Sequence, residues 1–261
     1  MDKFIQQIAK KAGEATMKLF GKEGVHYMKS DNVWDCVTKA DLLADKIITT
    51  AVRKKYPKHG IISEESGTAN EESEYAWIVD PIDGTMNFSR GVPLFSTMVA
   101  LAHKNRVILS AIYFPTTEEL YFAKEGKGVR LNGKRIHCSD KKELRGSVGS
   151  GSSSLRKDSV QFINNILATK DAGHIVLNTF GAICVNACYV ASGRRDWVVP
   201  LHGAIHDFAP IYLILKESGC KVTDVRGNPW KLGVQGLVAA NPSLHKQLLK
   251  LTKNIKLTKN I

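Results

Sequence analysis

The sequence predicts a mixed α/β (α+β) fold, and three features predict it. Near the start, Phe4, Ile8, Ala12, Ala15 and Leu19 recur every three or four positions, as one face of a helix requires. In the middle, residues 93–102, 107–114 and 120–123 are apolar and β-branched, and polar turns at Lys104-Asn105 and Pro115-Thr116-Thr117 separate them. That is the pattern of an antiparallel meander. Later, helical patterns return at residues 161–170, 181–192 and 211–218. A chain of 261 residues can bury its core as one large domain or as two tightly packed ones.

Taken in order, the first helix is closed by Gly21 and Gly24. Residues 29–41 are polar, and a second helical pattern runs from Leu42 to Tyr56 before Pro57 stops it. Asp41 reads equally as a cap of that helix and as a carboxylate near a metal site. Ile61-Ile62-Ser63-Glu64-Glu65 reads as a short strand ending in two carboxylates. Neighbours on an extended chain face opposite ways, so one of the two is expected to face a site.

Residues 77–88 (W-I-V-D-P-I-D-G-T-M-N-F) carry the chemistry. Trp77-Ile78-Val79 looks like the end of a buried strand, Asp80 follows where it runs out, and Pro81 is expected to stop it. Asp83, Gly84 and Thr85 then open a helix with free backbone N–H groups in its first turn. An isolated Asp-Pro-x-Asp-Gly is an ordinary turn. Two carboxylates beside a helix N-terminus also assemble cation ligands next to an anion site, and a divalent metal with a phosphate satisfies both.

Asn132-Gly133 is a hairpin signal. Residues 146–154, rich in Gly and Ser, open the second half of the chain. Gly181 and Ala182 precede a buried helix and allow a ligand to approach its backbone. Asp207, in His206-Asp207-Phe208-Ala209-Pro210, reads as the N-cap of the next helix and as a third metal carboxylate, and the two roles are compatible. With no Cys or His completing the set, these oxygen ligands favour Mg²⁺ or Mn²⁺ over zinc. Residues 250–255 (K-L-T-K-N-I) recur as 256–261, and this repeat is expected to be a frayed extension without a role. The expected organisation is an N-terminal α+β half (1–145), a C-terminal α/β half (146–249) and a tail (250–261).

Hydrophobic and charged contents of 43% and 24% are those of an ordinary soluble globular protein. No run of eighteen apolar residues exists, and Lys3, Lys10, Lys11 and Lys18 interrupt the first twenty, which argues against a membrane span or a secretory signal. Five scattered cysteines are expected to be reduced thiols in a cytoplasm, with Cys184 and Cys188 serving packing. The net charge of +12 suits attraction of phosphorylated substrates, and equally of nucleic acid or an acidic partner. Part of the excess lies in Lys246, Lys250, Lys253, Lys256 and Lys259.

As a whole, residues 77–88 resemble the signature of the inositol monophosphatase family, the magnesium-dependent, lithium-sensitive phosphatases. Asp-Pro-(Ile/Leu/Val)-Asp-Gly-Thr-x-Asn-Phe is met at every position from Asp80 to Phe88. Residues 35–41 (D-C-V-T-K-A-D) match the family's Asp-x-Val-Thr-x-x-Asp, and Gly181-Ala182-Ile183 matches its Gly-x-Ala-type turn with a bulkier third residue. Asp207 matches the aspartate of a Trp-Asp-x-Ala segment, with His206 in place of the Trp. The resemblance runs from the Asp35 segment to the region around Gly227.

It implies a layered αβαβα sandwich of the inositol monophosphatase and fructose-1,6-bisphosphatase type, found as a homodimer. It implies that Glu64, Asp80, the Ile82 carbonyl, Asp83 and Asp207 hold two or three Mg²⁺ ions, with Mn²⁺ as a substitute. Glu64 and Thr85 would orient the attacking water, with Asp41 supporting Thr85. Gly84 and Thr85 would hold the phosphate, and Asp83, Ala182, Ile183 and Asp207 would contact the substrate.

The implied reaction is hydrolysis of inositol monophosphate, or a similar small polyol phosphate, by direct attack of water. Inositol-specific members place a Glu seven residues before the third metal Asp, where this chain has Pro200. A ring hydroxyl buried without that partner costs about 1–3 kcal/mol, enough to shift specificity. Asp-Phe-Ala-Pro also resembles the Asp-x-Ala-Pro of histidinol-phosphatase members. Histidinol phosphate, fructose 1,6-bisphosphate and 3′-phosphoadenosine 5′-phosphate are therefore alternatives within the fold. A basic RNA- or transcription-associated regulatory protein is the alternative outside enzymology. The expected partners are a small phosphorylated substrate and a second copy of the chain, with no membrane and no nucleic acid expected.

Overall fold

A computed structural model describes residues 1–22, 24–31, 35–152 and 154–258. The N-terminal half holds α1 (Asp2–Thr16), β1 (Tyr27–Met28), β2 (Cys36–Val37), α2 (Lys39–Lys55), β3 (Gly60–Ser63), β4 (Gly67–Ala69), β5 (Tyr75–Asp83) and α3 (Thr85–Ser89). The meander follows as β6 (Ser96–His103), β7 (Arg106–Phe114), β8 (Glu119–Lys124), β9 (Gly128–Leu131) and β10 (Lys134–Arg135). The second half comprises β11 (Val148–Gly151), α4 (Lys157–Leu167), β12 (Val176–Leu177), α5 (Ile183–Ala191), β13 (Trp197–Val199), α6 (Ile205–Glu217), β14 (Lys221–Thr223), β15 (Val238–Ala240) and α7 (Pro242–Thr252).

Alternation along the strands builds five layers. Eight strands form one sheet in the order β10-β9-β8-β7-β6-β5-β3-β4, and five form another in the order β12-β11-β13-β15-β14. On β5, Trp77 and Val79 pack with Ile5, Ile8, Ala44 and Ile48 of α1 and α2. Ile78, pointing the other way, joins Ala187 of α5 and Ile211 of α6. Those two helices form the central layer, because Val198 of β13 packs in the same cluster. Trp197 and Val199 face outward onto Phe162 of α4 and Leu244 of α7. The order is therefore helices, sheet, helices, sheet, helices. Within the second sheet the Trp197 ring lies over its neighbour on β11, so that a Cβ on Gly149 would lie 2.0 Å from it.

The hairpins obey their turn chemistry: Lys104 and Asn105 both take positive φ (47° and 62°), and so do Asn132 and Gly133 (48° and 81°). Several boundaries differ from the sequence-based expectation. The second helix begins at Lys39, three residues early, because Thr38 caps it in a capping box with Asp41. Asp41 is thus the third helical residue, and the cap is Thr38. β5 runs through Pro81 to Asp83, and the lost N–H is absorbed by a register shift against β6 between Asp80 and Asp83. The Thr97 hydroxyl donates to the Pro81 carbonyl at 2.8 Å.

α6 likewise starts at Ile205, before Pro210. Its N-cap is Ala204, and Asp207 is its third residue, accepting from the Ala204 N–H at 2.5 Å. The tail is packed where fraying was expected. Lys250 to Thr252 complete α7, Ile255 is 2% exposed, and Leu257 packs on the outer core. The last three residues of the repeat, Lys259 among them, lie outside the described residues, as does Ser153 of the Gly/Ser-rich segment.

Candidate active site

β5 delivers the first two carboxylates. Asp80 and Asp83 are buried on the sheet, 1% and 8% exposed, and α6 brings Asp207 from its first turn to meet them. One oxygen from each of the three lies within 4.8 Å of the others. Asp80 Oδ1 is buried with no hydrogen-bond partner. Three like charges at that spacing, one with an orphaned lone pair, are stable only when protonated or when a cation sits among them.

The electrostatics agree. Burial pushes the Asp80 carboxyl well up, and the neighbouring Glu64 and Asp83 push it further. Burial and then Asp207 raise Asp83 to about 7. Two amides at the start of α5 resist this: Cys184 N–H donates to Asp83 Oδ2 at 2.6 Å and Ile183 N–H to Oδ1 at 3.3 Å. Asp207 is also raised by burial, with His206 acting in the opposite direction.

After Asp83 the chain turns sharply. Gly84 takes φ 94°, and a Cβ there would lie 2.9 Å from both the Ala182 Cβ and the Leu94 carbonyl. The turn places Thr85 at the start of α3, where its hydroxyl lies 2.8 Å from the Ile82 carbonyl and 3.1 Å from Asp41 Oδ1. Asp41 is buried, and that burial raises its carboxyl to about 7 despite two bonds from Thr38. A chain from the α2 cap to the Thr85 hydroxyl is therefore continuous.

Glu64 lines the same cleft but stands outside the three-carboxylate cluster. β3 ends at Ser63, so strand alternation no longer separates Glu64 from Glu65, and both reach Lys29 Nζ, at 3.0 and 2.7 Å. Burial disfavours charge on Lys29, yet the two glutamates hold its pKa above the usual value. His206 Nε2 lies 3.9 Å from both Glu64 Oε2 and Asp207 Oδ2.

The cleft has a volume of about 530 Å³ and lies where β5, α3, α5 and α6 meet the second sheet. It gathers Glu64, Asp80, Ile82, Asp83, Gly84, Thr85, Ala182, Ile183 and Asp207, together with Pro200. Asp41 stands behind it, reaching it through Thr85. Sequence reasoning missed Lys29, Arg156 and His202, which also line it. Lys29 meets Glu64 across thirty-five positions, and no local pattern announces such a pair.

Fold and cleft together define a five-layered α/β protein with a buried carboxylate cluster at the junction of its two sheets. The model of the inositol monophosphatase family matches residues 1–257. The chain is 33% identical over 247 residues to a Nus factor SuhB of Pasteurella multocida, covering 92% of this chain and 91% of that one. It is 33% identical over 254 residues to a fructose-1,6-bisphosphatase/inositol-1-monophosphatase of Aquifex aeolicus, covering 95% and 94%. Among solved structures, the extragenic suppressor protein suhB of Bartonella henselae matches with a TM-score of 0.87 at 30% identity, over 97% of this chain and 98% of that one. The chain belongs to the inositol monophosphatase family, whose members are metal-dependent. Among the described residues no helix is long and apolar enough to cross a membrane.

Proposed function

We propose that the chain is a Mg²⁺-dependent phosphomonoesterase that hydrolyses inositol monophosphate or a similar small polyol phosphate. The observation that carries this reading is the Asp80, Asp83 and Asp207 cluster with its orphaned, buried Asp80 oxygen. An all-oxygen donor set of this kind fits Mg²⁺, with Mn²⁺ as a substitute. Glu64, Asp80, the Ile82 carbonyl, Asp83 and Asp207 would hold two or three ions. When bound, they supply the positive charge that lets a water attack a phosphate dianion and lets the alcohol leave as an anion.

The protein's own groups do the rest. Thr85, fixed between Asp41 and Ile82, orients the attacking water together with Glu64. Lys29 Nζ, 3.0 Å from Glu64 Oε1, fixes the carboxylate that would accept from that water. The amides of Gly84 and Thr85 receive the phosphate, and the Ala182 and Ile183 wall meets the alcohol. The net charge of +12 draws phosphorylated substrates in. The expected setting is a cytoplasmic homodimer.

Phosphate release from inositol 1-phosphate and histidinol phosphate tests the reading. Turnover of one ester should require Mg²⁺ and fall about 100-fold or more in Asp83→Asn. A folded protein inactive on both, and on fructose 1,6-bisphosphate and 3′-phosphoadenosine 5′-phosphate, would contradict it.

A second reading, association with RNA or a transcription complex, is favoured by the same positive charge and by the Nus factor names of several relatives. It expects steeply salt-dependent RNA binding that survives Asp83→Asn. Loss of all binding at moderate salt would remove it.

A further inference from the structure

Away from the cleft, reactive chemistry gathers at one pair of cysteines. Cys36, Cys184, Cys188 and Cys220 are buried, and Cys138 is half-buried. Burial pushes the Cys36, Cys184 and Cys188 thiols up, which keeps them protonated and inert as packing groups. Cys138 differs in both exposure and chemistry.

Cys138 lies on the segment that joins β10 to β11, and this segment runs against the C-terminal end of α6. The Cys138 N–H donates to the Ser218 carbonyl at 3.0 Å. A Cβ on Gly219 would lie 3.9 Å from the Cys138 sulfur. Gly219 turns the chain out of α6 with φ 94°, and Cys220, 6% exposed, follows just before β14. Cys138 packs against the core cluster that contains Cys220. The Ser218 hydroxyl lies 3.5 Å from the Cys220 sulfur, and the two thiols are hydrogen-bonded to each other.

That contact divides the roles. The bond from Cys220 holds the Cys138 thiol below its usual range against the cost of burial, and the Cys138 amide and Ser218 hydroxyl assist. The same bond, together with burial, pushes the Cys220 thiol well up. A half-buried thiol of lowered pKa forms the attacking thiolate, and a buried thiol touching it is placed to resolve the product.

We propose that Cys138 and Cys220 form an oxidative modification site, a dithiol that hydrogen peroxide closes into a disulfide. The Cys138 thiolate attacks one peroxide oxygen and the O–O bond breaks. The leaving hydroxide takes up the proton that Cys138 had released and departs as water, which leaves a sulfenic acid on Cys138. The Cys220 sulfur then attacks the Cys138 sulfur, and the S–O bond gives way to an S–S bond of about 2.05 Å. The hydroxyl leaves with the Cys220 proton as a second water. Two electrons pass from the sulfur pair to the peroxide, and a dithiol reductant returns them.

The bridge would close a loop that contains β11, α4, β12, α5, β13 and α6. Closing so long a loop restricts the unfolded chain strongly, so the oxidised protein should be the more stable form. The site is independent of the phosphomonoesterase reading.

Peroxide treatment of the reduced, folded full chain in chelator, followed by alkylation, digestion and mass spectrometry, tests the proposal. The wild type should lose two hydrogens and yield a Cys138–Cys220 cross-linked peptide that dithiothreitol removes. Cys138→Ser should form no disulfide. Cys220→Ala should stop at a sulfenic acid on Cys138, trapped by dimedone. The oxidised wild type should melt above the reduced protein, and dithiothreitol should abolish the difference. A wild type in which Cys138 is oxidised without forming the cross-link, or in which other cysteines pair, would overturn the proposal. A cross-link that lowers the melting temperature would overturn it as well, because the folded geometry would then oppose the bridge.

Discussion

At the scale of single residues, burial decides the charge state of the site. Asp41 and Asp83 are both raised to about 7, so the folded, metal-free protein keeps protons that the unfolded chain has lost above about pH 4. For raised carboxylates the stabilisation is complete below the unfolded pKa and is lost as pH rises through the folded one. The melting temperature of metal-free protein should therefore fall as pH rises from about 4 to about 8, and saturating Mg²⁺ should reverse the fall by favouring the ionised form. A melting temperature flat across that range without metal would contradict the assigned burial. Gly149→Ala supplies a packing test. Its methyl would meet the Trp197 ring at 2.0 Å, and the backbone or ring shift should cost about 1–3 kcal/mol in urea unfolding.

The carboxylates were legible in the sequence because they sit in one continuous motif, Asp80 to Thr85, and at the head of the α6 pattern. Their partners were not. Lys29 with Glu64, Cys184 N–H with Asp83 and His202 with Asp158 are joined by tertiary folding across thirty-five to more than a hundred positions. No period or spacing in a sequence encodes such pairs.

At the scale of elements, the meander and its turns could be read from the sequence because β-branched runs and Asn-Gly-type turns act locally. Boundaries were misread where tertiary support overrode a local rule. β5 crosses Pro81 because the shifted register and the Thr97 hydroxyl compensate for the missing N–H. α6 carries Pro210 in its interior, past the first turn, and the cost of the missing N–H is offset by apolar residues buried against α5 and the large sheet.

The tail was misread for a different reason. Its Lys-rich composition concealed Ile255, which is 2% exposed in the outer core, and Thr258, which is tied to Asp158. Ile255→Ala should destabilise the chain by about 2–4 kcal/mol in urea unfolding. A change within about 0.5 kcal/mol would show the tail to be frayed after all.

For the whole molecule, five alternating layers bring β5, α5 and α6 to the junction of two sheets. That junction is where carboxylates from distant parts of the chain converge. The layering itself follows from strand alternation, in which Ile78 and Trp77 face different helices. The order of the strands in each sheet has no such local signal, and the family resemblance implied only the layered sandwich. Everything functional depends on the cluster being a cation site. Calorimetric titration with Mg²⁺, comparing wild type with Asp80→Asn, tests this most directly. The substitution keeps the shape of the side chain and removes the charge at the orphaned oxygen. Saturable binding in the wild type, weakened at least about tenfold in the variant, is the predicted result. No binding by the wild type, or equal binding by both proteins, would contradict the account.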